Sequence, residues 1–251
     1  MAKPRKQYGR YKLLAVNADA KTSKGNGDDT GFLTGIMYLA PSTMSGRNVC
    51  QHATPGCIAA CLNTAGRGVM SSVQKGRLRK TRLFFEERAE FNRQLAEDIT
   101  RLERIARANG LQAVVRLNGT SDLPWHRMMF VAPKQGIVAR SVMAAFPNVR
   151  FYDYTKDARR MSEPLPDNYD LTFSRSESNH DTAVTLLHMR KRVAVVFRGA
   201  VPATYQGFPV VVGDENDLRF LDAGGVWVGL TAKGRAKRDV SGFVVDSGGT
   251  E

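Results

Sequence analysis

Three cysteines, Cys50, Cys57 and Cys61, fall inside one twelve-residue window, and the sequence contains no others. An odd number of thiols does not read as a disulfide framework, and unrelated core cysteines would scatter along the chain. Clustered thiolates bind soft metals: zinc, copper(I) or the iron of iron–sulfur clusters. The spacing here is C-x6-C-x3-C. A structural zinc needs four ligands, so three thiolates leave it one short. His52 is the candidate fourth ligand, although its place two residues from Cys50 makes a tight chelate. His126 and a small molecule are the other candidates. A cubane cluster can be held by three thiolates with one iron left open. The window therefore reads first as a [4Fe-4S] site on Cys50, Cys57 and Cys61, with zinc as the alternative and thiol redox chemistry as the third reading.

Other chemistries find less support. The zinc nucleobase deaminases use H-x-E with P-C-x-x-C, and neither pattern is present. The phosphate-loop signature G-x-x-x-x-G-K-[ST] is missing too. Asp122, Asp153, Glu177, Asp214 and Glu215 could together hold a hard cation. They could equally pair with the many arginines. His180 and His188 sit in a helical pattern and read as surface residues, while Trp125 and Tyr152 read as pocket or core.

Something must position the thiols. Phe32–Ala40 is a near-continuous apolar run that reads as a buried strand leading straight into the cysteine window. Residues 69–109 look helical, with Phe84, Phe91, Leu95 and Ile99 on one face and Asn109-Gly110 as a stop. Short apolar strands then alternate with polar or helical stretches. The strands are Ala113–Leu117, Val149–Tyr152, Leu171–Phe173, Val193–Phe197, Val210–Val212 and Val226–Leu230, with helices over Val138–Ala145 and Thr182–Lys191. The last strands are too close together to hold helices between them. This rhythm predicts an α/β fold of mostly parallel strands, a complete or partial (β/α) barrel, with the cysteine loop after its first strand. Residues 1–31 form a basic, then Gly-rich N-terminal segment, with a short strand over Tyr11–Val16. Residues 32–251 form one barrel-like domain.

In such folds the site lies at the carboxyl ends of the strands. Hydrogen-bonding clusters follow six successive strands here. They nominate Asn118, Thr120, Asp122, Asp153, Lys156, Arg175, Glu177, Arg198, Asp214, Glu215 and Lys233 as pocket residues.

Lys and Arg number 37 against 24 Asp and Glu, a formal net charge of +13. Basic groups gather at Lys3, Arg5, Lys6, Arg10 and Lys12, along Lys75–Arg82, and along Lys233–Arg238. They could grip nucleic-acid phosphates, or be an ordinary solvated surface. Aromatic residues are only 8%, too few and too scattered for a base-stacking platform. No apolar run is long enough to span a bilayer, and no signal peptide precedes the fold. The expected place is the cytoplasm.

Several motifs agree in order with one family. They are Pro55-Gly-Cys57-Ile-Ala-Ala-Cys61-Leu-Asn-Thr-Ala-Gly66, Arg116-Leu-Asn-Gly-Thr-Ser-Asp122, Phe151-Tyr-Asp-Tyr-Thr-Lys156, Thr172-Phe-Ser-Arg-Ser-Glu177 and Gly213-Asp-Glu-Asn-Asp217. Over roughly residues 32–245 the chain resembles the phage-encoded gene-product-eighty-eight-like proteins. That resemblance implies a phage protein working in a bacterial cytoplasm and names no reaction. The architecture is also similar to radical S-adenosylmethionine enzymes, whose partial barrel carries a three-cysteine loop after its first strand. This similarity implies S-adenosylmethionine at the open iron. Those enzymes mostly use C-x3-C-x2-C, which this chain lacks, and their glycine-rich methionine-binding motif is missing. Two functions follow as expectations. One is an iron–sulfur protein with redox or small-molecule chemistry at the open iron. The other is a non-enzymatic nucleic-acid-binding phage protein with a structural zinc or cluster.

Overall fold

The computed structural model describes residues 11–17 and 23–247. Seven parallel strands make the body of one sheet. In chain order they are β2 (Phe32–Met37), β3 (Gln112–Arg116), β6 (Arg150–Thr155), β7 (Tyr169–Ser174), β8 (Val193–Arg198), β10 (Phe208–Val212) and β11 (Trp227–Thr231). Their spatial order is β2-β3-β6-β7-β8-β11-β10. Short antiparallel strands end the path: β1 (Leu14–Val16) beside β2, and β9 (Thr204–Tyr205) beside β10. Among the described residues the path stays open between β1 and β9, so a complete barrel is not formed. The finding is a mixed α/β protein on a large, mostly parallel sheet.

The apolar runs explain the strands. Leu33, Val114, Val115, Phe151, Phe173, Val193 and Phe197 are all buried, as strands covered on both faces require. The boundary expected at residue 32 falls inside the sheet, because Leu14 pairs with Met37.

One register detail shapes the site. β7 pairs with β8 only at Val193 and Ala194. Along the same edge β12 (Val244–Asp246) pairs with Val196–Arg198. β7 and β8 thus diverge toward their carboxyl ends, and the C-terminal segment fills the gap.

Helix packing also differs from the expected pattern. The helical stretch is two helices, α2 (Ser71–Glu86) and α3 (Arg88–Ala108), preceded by a short α1 (Pro55–Ala59). The break at Glu87 lets Phe84 meet both Phe91 and Trp125 edge-on at 5.2 Å. The helix expected over Val138–Ala145 is instead strand β5 (Ile137–Ala139), paired with β4 (Phe130–Ala132), followed by α4 (Val142–Ala145). Gly136 in the left-handed region turns the hairpin, and Ser141 caps α4 by accepting the Ala144 N–H. α5 is His180–His188. From β8 to β12 the connections hold no α-helix, as the strand spacing implied.

Candidate functional site: three thiols at the carboxyl end of the sheet

All three cysteines line one cavity of about 250 Å3 at the carboxyl ends of the strands. Each is placed by a different local device. Cys50 sits in the loop after β2, where the Ser42 N–H donates to its sulfur at 3.3 Å. Cys57 lies on α1, and Thr54 caps that helix by accepting the Cys57 N–H. Cys61 starts the next turn. That turn is tied to α2 by Arg77, whose guanidinium donates to Asn63.

Glu177, after β7, clamps this segment. It accepts the Gly56 N–H at 2.7 Å and the Thr54 hydroxyl at 2.7 Å. No side chain fits at Gly56, because a Cβ there would lie 2.3 Å from the Ser241 hydroxyl and 2.8 Å from the Glu177 carboxyl.

Burial shapes the thiols. It pushes the Cys50 pKa up to about 12, opposed by the Ser42 N–H, while the other two cysteines add to the rise. Burial also raises Cys61, opposed by the nearby Asn63 backbone and by the charges of Arg77 and Lys156. Among the described residues, no three His, Cys, Asp or Glu side chains converge as ligands of a single metal ion.

The expected pocket residues divide. Asn118, Thr120, Asp122, Lys156, Asp214 and Lys233 line the cavity. Several also hold the loops that shape it. Asn118 Oδ1 accepts from Ser121, Leu123 and Trp125. Asp122 accepts the Lys156 N–H and a buried Arg160. Lys156 Nζ donates to Ser174 at 2.6 Å, and Lys233 pairs with Asp214 at 2.6 Å.

Asp153, Arg175, Glu177, Arg198 and Glu215 lie off the cavity lining. Arg175 donates to the Gly242 and Phe243 carbonyls, and Arg198 holds Asp246 and the 237–239 backbone. Both therefore fasten the C-terminal segment. Glu215 is exposed. The five carboxylates do not gather as the hard-cation site considered above. His52 turns toward Asp157 at 3.5 Å and is not a lining residue. His126 pairs with Glu163 at 2.7 Å. His188 is exposed, whereas His180 is partly buried and stacks on Trp227. Trp125 and Tyr152 are buried.

Among the lining residues not nominated from the sequence are Arg116, Tyr154 and Asp217. Arg116 donates to Asp217 at 2.6 Å on the cavity floor, and Tyr152 and Tyr154 donate to the same carboxylate at 2.9 and 3.2 Å. The signal was an arginine ending an otherwise apolar strand.

Asp153 is buried beside Arg116, Arg160 and Tyr169 and accepts the Asn118 N–H at 2.7 Å. Burial outweighs these partners and raises its pKa to about 7. A carboxyl raised above its unfolded value stabilises the fold at low pH. That contribution is lost as pH rises from about 4 through 7. Asp153→Asn should flatten this part of the stability profile, and thermal melts of both proteins across that range test it. Parallel profiles would contradict the assignment.

The model of the family described as Gene product 88 matches residues 11–247. The chain belongs to the gene product 88 family. The phage resemblance is thereby established over nearly the whole described chain. No curated protein and no solved structure matches it significantly. All the pocket-forming residues of this gene product 88 protein lie within the matched span. No helix among its described residues is long and apolar enough to cross a membrane.

Proposed function

We propose that this protein is an iron–sulfur protein of phage origin. It holds a four-iron cluster through Cys50, Cys57 and Cys61 and works in the host cytoplasm. The observation that carries the reading is the shared cavity: three thiols from three local elements face one space at the carboxyl end of a parallel sheet. A structural zinc needs four ligands, and neither His52 nor His126 lines the cavity with the three thiols. A cubane cluster can be held by three thiolates with one iron left open. We read the open, mostly parallel sheet as a partial barrel.

When bound, such a cluster supplies electron transfer or an open iron for a small molecule. The chain's own groups do the rest. The Ser42 N–H stabilises charge on the Cys50 sulfur. Lys156 and Arg77 supply positive charge beside Cys61. Lys156, braced by Ser174, and the Arg116–Asp217 pair offer polar anchors for a small ligand. The cysteine spacing lends no support to S-adenosylmethionine as that ligand.

Protein purified without oxygen should be brown and contain about four irons and four sulfides per chain. Colourless protein with one zinc would overturn the reading and make the loop structural.

A further inference from the structure

The mouth of the thiol cavity carries a surface that the proposed cluster does not use. Met44, Ile58, Leu62, Val69 and Met70 are 48–60% exposed. They belong together. Ile58 lies between Cys57 and Cys61, and Leu62 both lines the cavity and faces solvent. Asn63 donates to the Met44 sulfur, and Gly68 packs directly on the Leu62 and Asn63 backbone. Large apolar side chains exposed together along one short segment are a mark of interaction surfaces.

Most of the exposed charges around it are basic, although Glu177 and the Lys233-paired Asp214 stand among them. Between Asp29 and Glu86 the sequence has no acidic residue, and Arg47, Arg67, Lys75, Arg79 and Arg82 are exposed, while Arg77 is buried against Asn63 and Lys80 turns to the Leu13 carbonyl. The second wall of the mouth carries the exposed Lys233, Arg235, Lys237 and Arg238, with Asp214 paired to Lys233 and the buried Asp239 following Arg238. The two walls touch: the Arg235 N–H donates to Thr64, and a Cβ on Gly234 would meet the Thr64 carbonyl at 2.7 Å.

We propose that an acidic electron-carrier protein docks here, seating an apolar centre on the patch and its carboxylates on the basic rim. The patch decides between anionic partners. Its centre is aliphatic and thioether, as in protein interfaces, and lacks the aromatic rings on which nucleic-acid bases stack. Through Ile58 and Leu62 the docked carrier reaches the thiol wall of the cavity. Were the proposed cluster bound there, it would accept one electron from the reduced carrier, with no bond made or broken. The inference rests on the cluster reading only for the electron's destination.

The test uses the full chain, anaerobically purified, with reduced flavodoxin as the acidic probe and dithionite as the small reductant. Flavodoxin binding is followed by titration calorimetry, and cluster reduction by loss of visible absorbance. Tight binding at low salt should weaken steeply with salt. It should fall about tenfold or more in Val69→Asp and in Arg235→Glu/Lys237→Glu, with the same loss in the reduction rate. Dithionite should reduce wild type and variants alike. A cluster that dithionite reduces but flavodoxin neither binds nor reduces overturns the docking proposal alone. Binding that ignores salt and both variants does the same. Absence of a cluster overturns the function proposed above, and the calorimetry still decides whether the surface docks. Binding of single-stranded DNA at the patch, in place of flavodoxin, would assign the surface to nucleic acid.

Discussion

If the protein holds the cluster proposed above, serine in place of Cys57 is expected to leave a folded protein that has lost nearly all the iron. Cys57 is one of three thiols on the cavity wall, and its backbone is fixed independently of its sulfur. Its N–H is held by Thr54, and the helix start is clamped by Glu177. Serine keeps that backbone intact. It replaces a soft thiolate with a hard hydroxyl that binds iron poorly. The same loss is expected for Cys50→Ser and Cys61→Ser, because two thiolates cannot hold a cluster that already lacks a fourth. Iron and sulfide analysis beside near-ultraviolet circular dichroism checks it. Full iron in any one serine variant would remove that cysteine from the site. Full iron in all three would end the cluster reading.

Asp217→Ala should be the most destabilising change at the cavity floor. Asp217 is buried and receives Arg116 and two tyrosine hydroxyls. Burial alone would lower the Arg116 pKa, and Asp217 with the neighbouring tyrosines more than reverses that. Removing the carboxylate strands a guanidinium charge, which typically costs about 3–5 kcal/mol. In a domain of this size each kcal/mol moves Tm by about 2–4 °C, so a drop on the order of 10 °C is expected. Arg116→Met combined with Asp217→Leu should lose much less, because no unpaired charge remains. Calorimetric melts of the single and double variants decide it. A single-variant loss below about 1 kcal/mol would show that the pair is not structurally important.

Where an apolar run filled a whole strand, as in β3, β8 and β11, the sequence was legible because burial on both faces leaves a continuous signature. Short elements escaped because their stability comes from partners far along the chain. β12 is three residues long and exists because β7 leaves β8 uncovered. Ile137–Ala139 is a strand because β4 pairs with it. The thiol window was readable, since thiol clustering needs no tertiary knowledge. The polar residues were less so. Glu177, Arg175 and Arg198 follow strands as pocket groups would, yet they spend their hydrogen bonds on α1 and the C-terminal segment. Arg116 and Asp217 lie 101 residues apart, and nothing local announces that they meet.

The β12 insertion has a consequence for biosynthesis. Lys233 and Phe243 complete the cavity, so it closes only after the chain has been made past residue 243. The thiols at 50–61 emerge about 180 residues earlier. At roughly 5–20 residues per second, they stand for tens of seconds in a half-built wall. If the cluster proposed above binds there, loading follows the emergence of residue 243, and a chain made faster than iron is supplied should accumulate as a folded, metal-free form.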